Sequence, residues 1–405
     1  MTLRRRDGRE PMPKHQPLRL PSDDKTWPHT RTAEWTRWVT WASTAVPVLV
    51  LCFFGVVHLA NIFMGLLPWV WDDKEDIPSI LPNWGAPGQL GEGLSSYPMD
   101  LTRDVIPIQC HSHNDYWRRV PLYEALHYGC TGVEADVWLY DNDLFVGHNT
   151  IALTKNRTFR SLYLDPLLQI LDTANAVGDI VSPASNFKNG VFDANPKQTL
   201  VLLVDFKTNG PDLFPVVQEQ LSSLREKGYL TYADGKTVLE GPITVVATGN
   251  APFDLINANT TYRDIFFDAP LDRMYEDPHH HSRLKGQVPR HTTQTQGQGT
   301  VGTDEDSRFD LTNSYYASVS FASSIGRIWG GRLSHKQKDL IRGQIKGAHR
   351  RGLKVRYWAT PQWPVGLRNH VWNILIREGV DYLNGDDLRG MTKADWSKKH
   401  HHGWL

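Results

Sequence analysis

Carboxylates and one lysine occur in this sequence in two short motifs whose spacing suits chemistry on an anion. Glu134 and Asp136 lie two residues apart, and so do Asp205 and Lys207. Residues two apart on a β-strand point to the same side, so each motif presents its two charged groups to one place. Carboxylate oxygens are the ligands that Mg²⁺ and Ca²⁺ prefer. We therefore predict a metal site formed by Glu134, Asp136 and Asp205, with Lys207 placed to contact a phosphate oxygen.

Two histidines accompany these motifs. His111 ends an apolar run, and His148 lies twelve residues after Asp136, behind a tight turn. Unperturbed imidazole has a pKa of about 6.5, which suits both proton donation and proton acceptance near neutral pH. Any one of these residues alone would more often be a packed or solvated side chain. Because they fall at the ends of successive predicted strands, we interpret them together as one catalytic site.

The elements that would position these residues follow from the pattern of apolar runs. From residue 105 onward, short β-rich runs alternate with helical stretches, and the runs are apolar on both faces, as in a buried parallel sheet. The eight runs read VIPIQC, TGVEADVWL, TLVLLVDF, PITVVAT, DIFFDA, YYASVSF, LKVRYWA and VDYLNG. They predict an α/β protein with a (β/α)₈ TIM-type barrel, whose functional residues gather at the carboxyl ends of its strands. An open, doubly wound sheet is the second choice.

The chain divides into five segments by composition. Residues 1–38 are rich in proline and carry nine basic residues against five acidic ones, which predicts a disordered cytosolic tail. Residues 39–71 contain no Asp, Glu, Lys or Arg and predict a transmembrane signal anchor flanked by tryptophans. The remaining segments are a linker rich in proline and glycine at 72–104, the barrel at 105–392 with a polar insertion at about 279–307, and a basic, His-rich tail at 393–405.

Charge and glycosylation motifs bear on partners and location. The 405 residues carry 44 Lys and Arg and 44 Asp and Glu, so no net field favours nucleic acid as a partner. Positive charge before the apolar segment predicts a single-pass protein with a cytosolic amino terminus and a luminal or extracellular barrel. N-glycosylation triplets at Asn156 and Asn259 agree with that side. Cys110 and Cys130 either pair there or remain buried thiols. Acidic residues in the tail favour an endomembrane over a mitochondrial location.

The order of these motifs resembles that of the phospholipase C-like phosphodiesterase superfamily, which includes glycerophosphodiester phosphodiesterases and spider-venom sphingomyelinase D enzymes. The shared order is a His, a Glu-x-Asp about twenty residues later, a Gly-His and an Asp-x-Lys. More closely, the segments HSHNDYWRRVPLYEALHYGCTGVEADVW, VDFKT, FFDAPL and NSYYASVSF are similar to the fungal family called altered inheritance of mitochondria protein 6. The resemblance spans about residues 100–392.

That resemblance implies a metal-dependent phosphoric diester hydrolase with Mg²⁺ or Ca²⁺ as cofactor. It assigns the metal to the three carboxylates named above and acid–base catalysis to the two histidines, with the lysine beside the phosphate. Tyr357 and Trp358 match an aromatic position at the end of a late strand that lines the venom enzymes' pocket. His113 and Asn114, next to the first histidine, complete the predicted substrate contacts.

The sequence departs from the superfamily at one contact. Ser112 stands where glycerophosphodiester enzymes have an arginine that contacts phosphate, so the choice of substrate is open. The membrane anchor favours a phospholipid or lysophospholipid diester, followed by a soluble glycerophosphodiester. We assign His111 as base and His148 as acid and retain the reverse order, with water or a neighbouring hydroxyl of the substrate as the attacking group. Two rival functions are a catalytically inactive barrel that binds lipid or a protein partner, and a metal-dependent hydrolase of sugars or amides.

Overall fold

The structure is a computed structural model of the chain. It describes residues 30–71, 99–176, 188–278 and 299–398, together with 83, 86–89 and 92. These residues belong to two compact units, one within Met1–Glu92 and one within Gly93–Leu405. Residues 1–29 of the predicted tail, most of the predicted linker and insertion, and residues 399–405 lie outside the described residues.

The first unit contains one long helix, Thr30–Trp71. Within it, Arg37–Phe63 is long and apolar enough to cross a membrane, and it is the one such segment in the described ranges. None of that segment is buried, which suits contact with lipid and not the core of a soluble domain. The helix begins at Thr30, so helical structure extends upstream of the predicted boundary at residue 39.

The second unit contains a closed barrel of eight parallel strands. Strands of the described chain are β1 (Ile108–Ser112), β2 (Cys130–Tyr140), β3 (Asp143–Val146), β4 (Leu200–Phe206), β5 (Tyr232–Ala233), β6 (Val238–Leu239), β7 (Ile243–Gly249), β8 (Ile265–Pro270), β9 (Ser314–Ser320), β10 (Lys354–Trp358) and β11 (Tyr382–Gly385). The barrel runs in the order β1, β2, β4, β7, β8, β9, β10, β11, and β1 pairs with both β2 and β11 to close it. The predicted TIM-type barrel is confirmed.

Alternation along the strands separates the barrel interior from the shell of helices. On β4, Leu202 and Val204 belong to the large apolar core between sheet and helices. Val201 and Leu203 instead join a small apolar cluster on the opposite face of the strand. Asp205 continues that second set at the carboxyl end of β4. The inward-facing side of β4 therefore changes from apolar to charged toward the face where function is expected.

Helices connect successive strands on the outside of the barrel. Those described in the second unit are Tyr123–His127, Asp165–Ala174, Gly210–Gln220, Ser222–Glu226, Phe253–Ala258, Phe321–Ser324, His335–His349, Val365–Glu378 and Leu388–Thr392. The helix His335–His349 begins with a capping box between Ser334 and Gln337, in which each side chain accepts the other's backbone N–H. Val365–Glu378 ends at Gly379, whose φ of 96° suits a left-handed C-cap.

A two-stranded extension rises from the barrel at β2. Beyond Val137, β2 pairs only with β3, which returns antiparallel to it. The turn residues Asp141 and Asn142 have φ of 48° and 62°, as a two-residue hairpin turn of type I′ requires. After β3, the N–H of Gly147 donates to the carbonyl of Asp136 at 3.2 Å. The hairpin therefore brings the chain back to the level of the carboxylate motif.

A disulfide joins the first two barrel strands. It links Cys110 in β1 to Cys130 at the start of β2, across a sequence separation of 20 residues. The sequence alone left this pairing open. Cys52, on the long amino-terminal helix, is a free and exposed thiol.

Candidate active site

Three carboxylates meet at the carboxyl ends of β2 and β4. The sheet register places Asp136 directly beside Asp205 and Glu134 beside Leu203. Glu134 is therefore one inward-facing position below Asp136 on the same strand. One carboxylate oxygen from each of Glu134, Asp136 and Asp205 lies within 4.8 Å of the others. All three residues are buried, so their like charges face one another away from bulk water.

This cluster fits a hard divalent cation. Oδ1 of Asp136 and Oδ1 of Asp205 are buried without a hydrogen-bond partner among the described residues, although buried polar atoms are normally paired. Burial raises the pKa of both aspartates; the neighbouring carboxylates reinforce this rise and Lys207 opposes it. A cation would satisfy the unpaired oxygens and favour the charged carboxylates. Gly249 keeps the space open, because a Cβ there would lie 2.0 Å from Asp205 Oδ1.

Lys207 lies against two of the three carboxylates. Its Nζ is 2.5 Å from Asp205 Oδ2 and 2.9 Å from Asp136 Oδ2. Burial opposes the charged form, but these two carboxylates outweigh it and raise the pKa of Lys207 above its usual value. The side chain therefore carries a positive charge directly beside the cluster, as the Asp-x-Lys spacing predicts.

His111 lies at the floor of the site. Its ring is fully buried, with Nδ1 3.2 Å from the hydroxyl of Tyr316. Nε2 has no hydrogen-bond partner in the described part of the chain and lies 3.9 Å from Glu134 Oε2. Burial, followed by the charge of Arg356, lowers the pKa of His111 well below its usual value. Gly132 makes the ring position possible, since a Cβ there would be 2.3 Å from Nδ1.

His148 reaches the site from the chain that follows β3 and is held there by Tyr116. The Tyr116 hydroxyl lies 2.6 Å from Asp136 Oδ2, 2.7 Å from Asn114 Oδ1 and 3.2 Å from His148 Nδ1. Tyr116 has one hydroxyl hydrogen, and both other neighbours are acceptor oxygens, so its oxygen is left to accept from His148. Nδ1 of His148 therefore carries the hydrogen, and Nε2 remains for proton exchange. The motifs did not single out Tyr116.

The electrostatic surroundings of His148 differ from those of a free imidazole. Its ring centroid is 4.9 Å from that of Trp117. Burial and the positive charge of Lys207 lower the pKa of His148. Its side chain is nevertheless 49% exposed, whereas that of Lys207 is 12% exposed and that of His111 is 0% exposed. Side-chain exposure thus falls from His148 to His111, and we call this group of residues the funnel, with His148 at its opening and His111 at its floor.

His113 and Asn114 belong to the wall of this funnel. The backbone N–H of Asn114 points to Glu134 Oε2 at 3.4 Å. Nδ1 of His113 is 2.9 Å from Asp386 Oδ1. Burial opposes protonation, but the charges of Glu134 and Asp386 outweigh it and raise the pKa of His113. Asp386 follows β11 and lies 273 residues away in sequence, so no local motif indicated it.

Arg118 lies beside Ser112, the position at which the sequence lacks the arginine of glycerophosphodiester enzymes. Arg118 donates from Nε to Ser112 Oγ at 3.2 Å and from Nη2 to the carbonyl of His113 at 3.0 Å. Its Nη2 also lies 3.8 Å from Asp386 Oδ1. The chain therefore brings a guanidinium group next to Ser112, although the sequence has no arginine there.

The late-strand aromatic pair is split between two faces of β10. Arg356 points into the barrel, because its guanidinium bonds side chains on three other strands: Ser318, Asn384 and Asp268. Trp358, two residues on, shares that inward face. Tyr357 points the other way and donates its hydroxyl to Gln344 of the helix His335–His349 at 2.9 Å. The prediction of Tyr357 as a substrate contact is therefore wrong, since strand alternation carries its ring into the shell core.

Comparisons with known proteins agree with the motifs. Residues 99–268 match the family model described as an AIM6-like phosphodiesterase domain. The chain is 37% identical over 302 residues to the altered inheritance of mitochondria protein 6 homolog of Arthroderma benhamiae, covering 72% of this chain and 85% of that protein. It is 36% identical to altered inheritance of mitochondria protein 6 of Lachancea thermotolerans, covering 72% and 67%. The protein of that name in Saccharomyces cerevisiae strain RM11-1a is also 36% identical, covering 71% of each chain. No solved structure gives a significant match.

Proposed function

The chain belongs to the fungal family called altered inheritance of mitochondria protein 6, and from that membership and its site we propose that it is a metal-dependent phosphoric diester hydrolase. One observation carries the proposal. The unpaired buried oxygens of Asp136 and Asp205 lie in one funnel with a lysine ammonium and two histidines. That set supplies metal ligands, a further positive charge and proton exchange, which together are what hydrolysis of an anionic diester requires.

The charged residues would bind and orient the diester. Glu134, Asp136 and Asp205 would hold a divalent cation, whose positive charge would neutralise the phosphodiester and polarise it toward attack. Lys207 adds a positive charge where negative charge develops in the transition state. Arg118 is proposed as a second phosphate contact, in the role that the missing arginine at position 112 has in glycerophosphodiester enzymes. Mg²⁺ is the cation we propose, with Ca²⁺ as the alternative, because all three ligands are carboxylates.

The two histidines would divide the proton transfers by depth. His148 is half-exposed at the opening, where a bulky leaving alcohol would remain, so it is proposed as the acid that protonates the leaving oxygen. His111 is fully buried at the floor, so it is proposed as the base that takes a proton from water or from a neighbouring hydroxyl of the substrate. The hydroxyl of Tyr116 accepts from Nδ1–H of His148 and so leaves Nε2 of His148 to protonate the leaving oxygen.

A lipid-derived diester is the proposed substrate class. The apolar helix suited to crossing a membrane would keep the barrel near a bilayer. Phospholipid and lysophospholipid diesters are therefore placed ahead of a soluble glycerophosphodiester. Trp358, His113 and Asn114 are proposed substrate contacts. Trp358 lies at the carboxyl end of β10, and His113 and Asn114 directly follow the carboxyl end of β1.

The barrel is proposed to lie on the luminal side of an endomembrane. The Cys110–Cys130 disulfide supports an oxidising compartment. Asn259 offers an exposed glycosylation triplet in the turn before β8, at the amino end of the barrel. Endoglycosidase treatment of the natural protein should shift its electrophoretic mobility, and Asn156→Gln combined with Asn259→Gln should remove that shift, because both asparagines are exposed. A protein without any glycan would contradict the luminal placement.

Activity of the full chain tests the enzyme proposal. The purified protein in detergent micelles is assayed with a lysophospholipid and a glycerophosphodiester, with Mg²⁺ or with EDTA. Turnover should require the metal and should fall by about two orders of magnitude or more in His111→Ala and Glu134→Gln. Glu219→Gln, at an exposed carboxylate of the helix Gly210–Gln220, is the matched control and should keep full activity.

Two results would replace the proposal. If the protein is folded and binds metal but turns over neither diester, the lipid-binding or scaffold function takes its place. If it cleaves a glycosidic or amide bond with metal dependence and no diester, it is a hydrolase of another class.

A further inference from the structure

Large apolar side chains stand exposed around the funnel opening. Trp117 follows β1, Trp329 follows β9 and Trp363 follows β10, and their exposed fractions are 56%, 81% and 78%. Ile151, in the short turn after β3, is 93% exposed. Residues of this size are mostly buried in soluble domains, and a group of them on one face marks an interaction surface. We call Trp117, Ile151, Trp329 and Trp363 the mouth rim.

The mouth rim shares one face with the candidate active site. All eight barrel strands are parallel, so the segments that follow their carboxyl ends open on the same side as the carboxylates. Trp117 connects the rim to the site directly through its ring contact with His148. Trp329 and Trp363 lie on the segments after β9 and β10, which are the third and second strands from β1 around the barrel.

Charge on the rim segments is of one sign. Residues 117–120, 147–158, 325–334 and 359–370 contain no Asp or Glu. Their exposed basic side chains are Arg119, Lys155, Arg327 and Arg332. The whole chain balances 44 basic against 44 acidic residues, so this bias is local and does not reflect composition. An apolar rim set among basic residues is complementary to a bilayer with anionic headgroups.

An apolar cavity lies within the same rim. It has a volume of about 370 Å³ between the segments after β9 and β10. Phe321, Ile328, Trp329 and Leu367 are among its lining residues. Such a cavity accepts part of an acyl chain more readily than a polar headgroup, because most of its lining is hydrocarbon.

A bilayer is the occupant that these features favour. The same chain has a helix suited to crossing a membrane, which would keep the barrel beside a bilayer. A second copy of the chain is disfavoured, because a symmetric contact would set one basic rim against another. We propose that the mouth rim is an interfacial surface that docks the barrel, opening first, on a bilayer containing anionic phospholipid.

Position-specific quenching by lipid tests this docking. The full chain is placed in nanodiscs with about 30% phosphatidylserine, in a Cys52→Ser background. Trp329→Cys and Trp363→Cys each carry an environment-sensitive fluorophore. Leu311→Cys is the matched control, because Leu311 is an exposed apolar residue (46%) in the turn before β9, at the opposite end of the barrel. Lipids with brominated acyl chains should quench both rim labels at least about two-fold more than the control label.

Charge reversal tests whether anionic headgroups hold the rim on the bilayer. Arg119→Glu combined with Arg327→Glu should reduce quenching at both rim positions, and added salt should do the same. Equal quenching at rim and control positions, or none at the rim of a protein with an unchanged circular dichroism spectrum, overturns the proposal. A change in rim-label fluorescence that grows with protein concentration in detergent, together with no quenching by brominated lipid in nanodiscs, overturns the proposal in favour of contact with a second copy of the chain. The nanodisc phospholipids belong to the proposed substrate class, so the assay is run with EDTA to prevent metal-dependent turnover. Its readout is quenching of a label, so its outcome does not depend on whether the site hydrolyses a diester.

Discussion

Replacing Tyr116 with phenylalanine should lower kcat/KM by one to two orders of magnitude while the barrel stays folded. The hydroxyl contacts Asp136 Oδ2 at 2.6 Å, Asn114 Oδ1 at 2.7 Å and His148 Nδ1 at 3.2 Å. It therefore supports a proposed metal ligand and a proposed acid at once. Loss of a partner that orients a ligand typically costs about 10–100-fold, which corresponds to roughly 1.4–2.7 kcal/mol of transition-state stabilisation.

The pH dependence of the same variant has a defined direction. The Tyr116 oxygen accepts from Nδ1–H of His148, a hydrogen bond that favours the protonated ring. Its loss should lower the pKa of His148. An acid must be protonated to act, so activity is lost as pH rises through that pKa. The basic limb of the kcat/KM profile should therefore move to lower pH in Tyr116→Phe.

Tyr163→Phe is the matched control for this experiment. The Tyr163 hydroxyl is also buried; it lies 3.1 Å from Asp115 Oδ2 and 3.2 Å from the carbonyl of Glu134. Each variant loses one buried hydroxyl and should lose about 1–2 kcal/mol of stability, measured by thermal unfolding. Only Tyr116→Phe should shift the basic limb. A Tyr116→Phe enzyme with the parent rate and profile refutes the reasoning, and a shift of the limb to higher pH refutes the assigned direction of the hydrogen bond.

Three further outcomes follow from the carboxylate cluster, the disulfide and a buried carboxyl. Mg²⁺ at about one hundred times its Kd should raise the free energy of unfolding by roughly 2.7 kcal/mol; calorimetry should find no such gain with EDTA or in Glu134→Gln. Replacing Cys110 and Cys130 by serine should lower the free energy of unfolding by about 3 kcal/mol, because the bond closes a 20-residue separation, and reductant should then have no further effect in denaturant titrations. Burial, opposed by hydrogen bonds from Ser112 and Leu122, raises the pKa of Asp115 to about 6. The folded state therefore holds this proton more tightly, and stability should fall by roughly 3 kcal/mol as pH rises from about 4 to about 6; Asp115→Asn should remove that part of the slope, and an unchanged slope would contradict the assignment.

The barrel and much of the candidate site were accessible from the sequence because their signals are local. Each barrel strand is a short apolar run that ends in polar residues. Glu134, Asp136, Asp205 and Lys207 come together because pairs two apart on neighbouring strands share the inward face. Because the carboxyl ends of parallel barrel strands all lie at one end of the barrel, predicting the strands is enough to place such pairs together.

The features that could not be predicted from the sequence are contacts between residues far apart along the chain and the face of a strand on which a given side chain lies. Asp386 lies 273 residues from its partner His113, and no motif records such a pairing. Tyr116 carries no sequence signal of its own, because an aromatic residue beside a motif is usually part of a core. The sequence does not show which side chains of β10 face the barrel interior; once the structure places Arg356 inward, strand alternation turns Tyr357 outward. That His111 is buried while His148 is half-exposed can be seen only in the three-dimensional structure.

The hairpin of β2 and β3 leads the chain to His148, whereas Asp136 and Asp205 of the carboxylate cluster lie on paired strands of the barrel itself. A single inserted residue in the Asp141–Asn142 turn would slip β3 against β2, turn alternate side chains to the opposite face and carry His148 about 3.3 Å along the ribbon. The barrel's own pairings would remain, because β2 is the only barrel strand that pairs with β3 in the described chain. The length of one turn therefore decides whether His148 lies beside the carboxylate cluster. An insertion at this turn would leave a stable barrel that could serve other binding roles. Inactive family members are therefore the first in which to look for a longer turn.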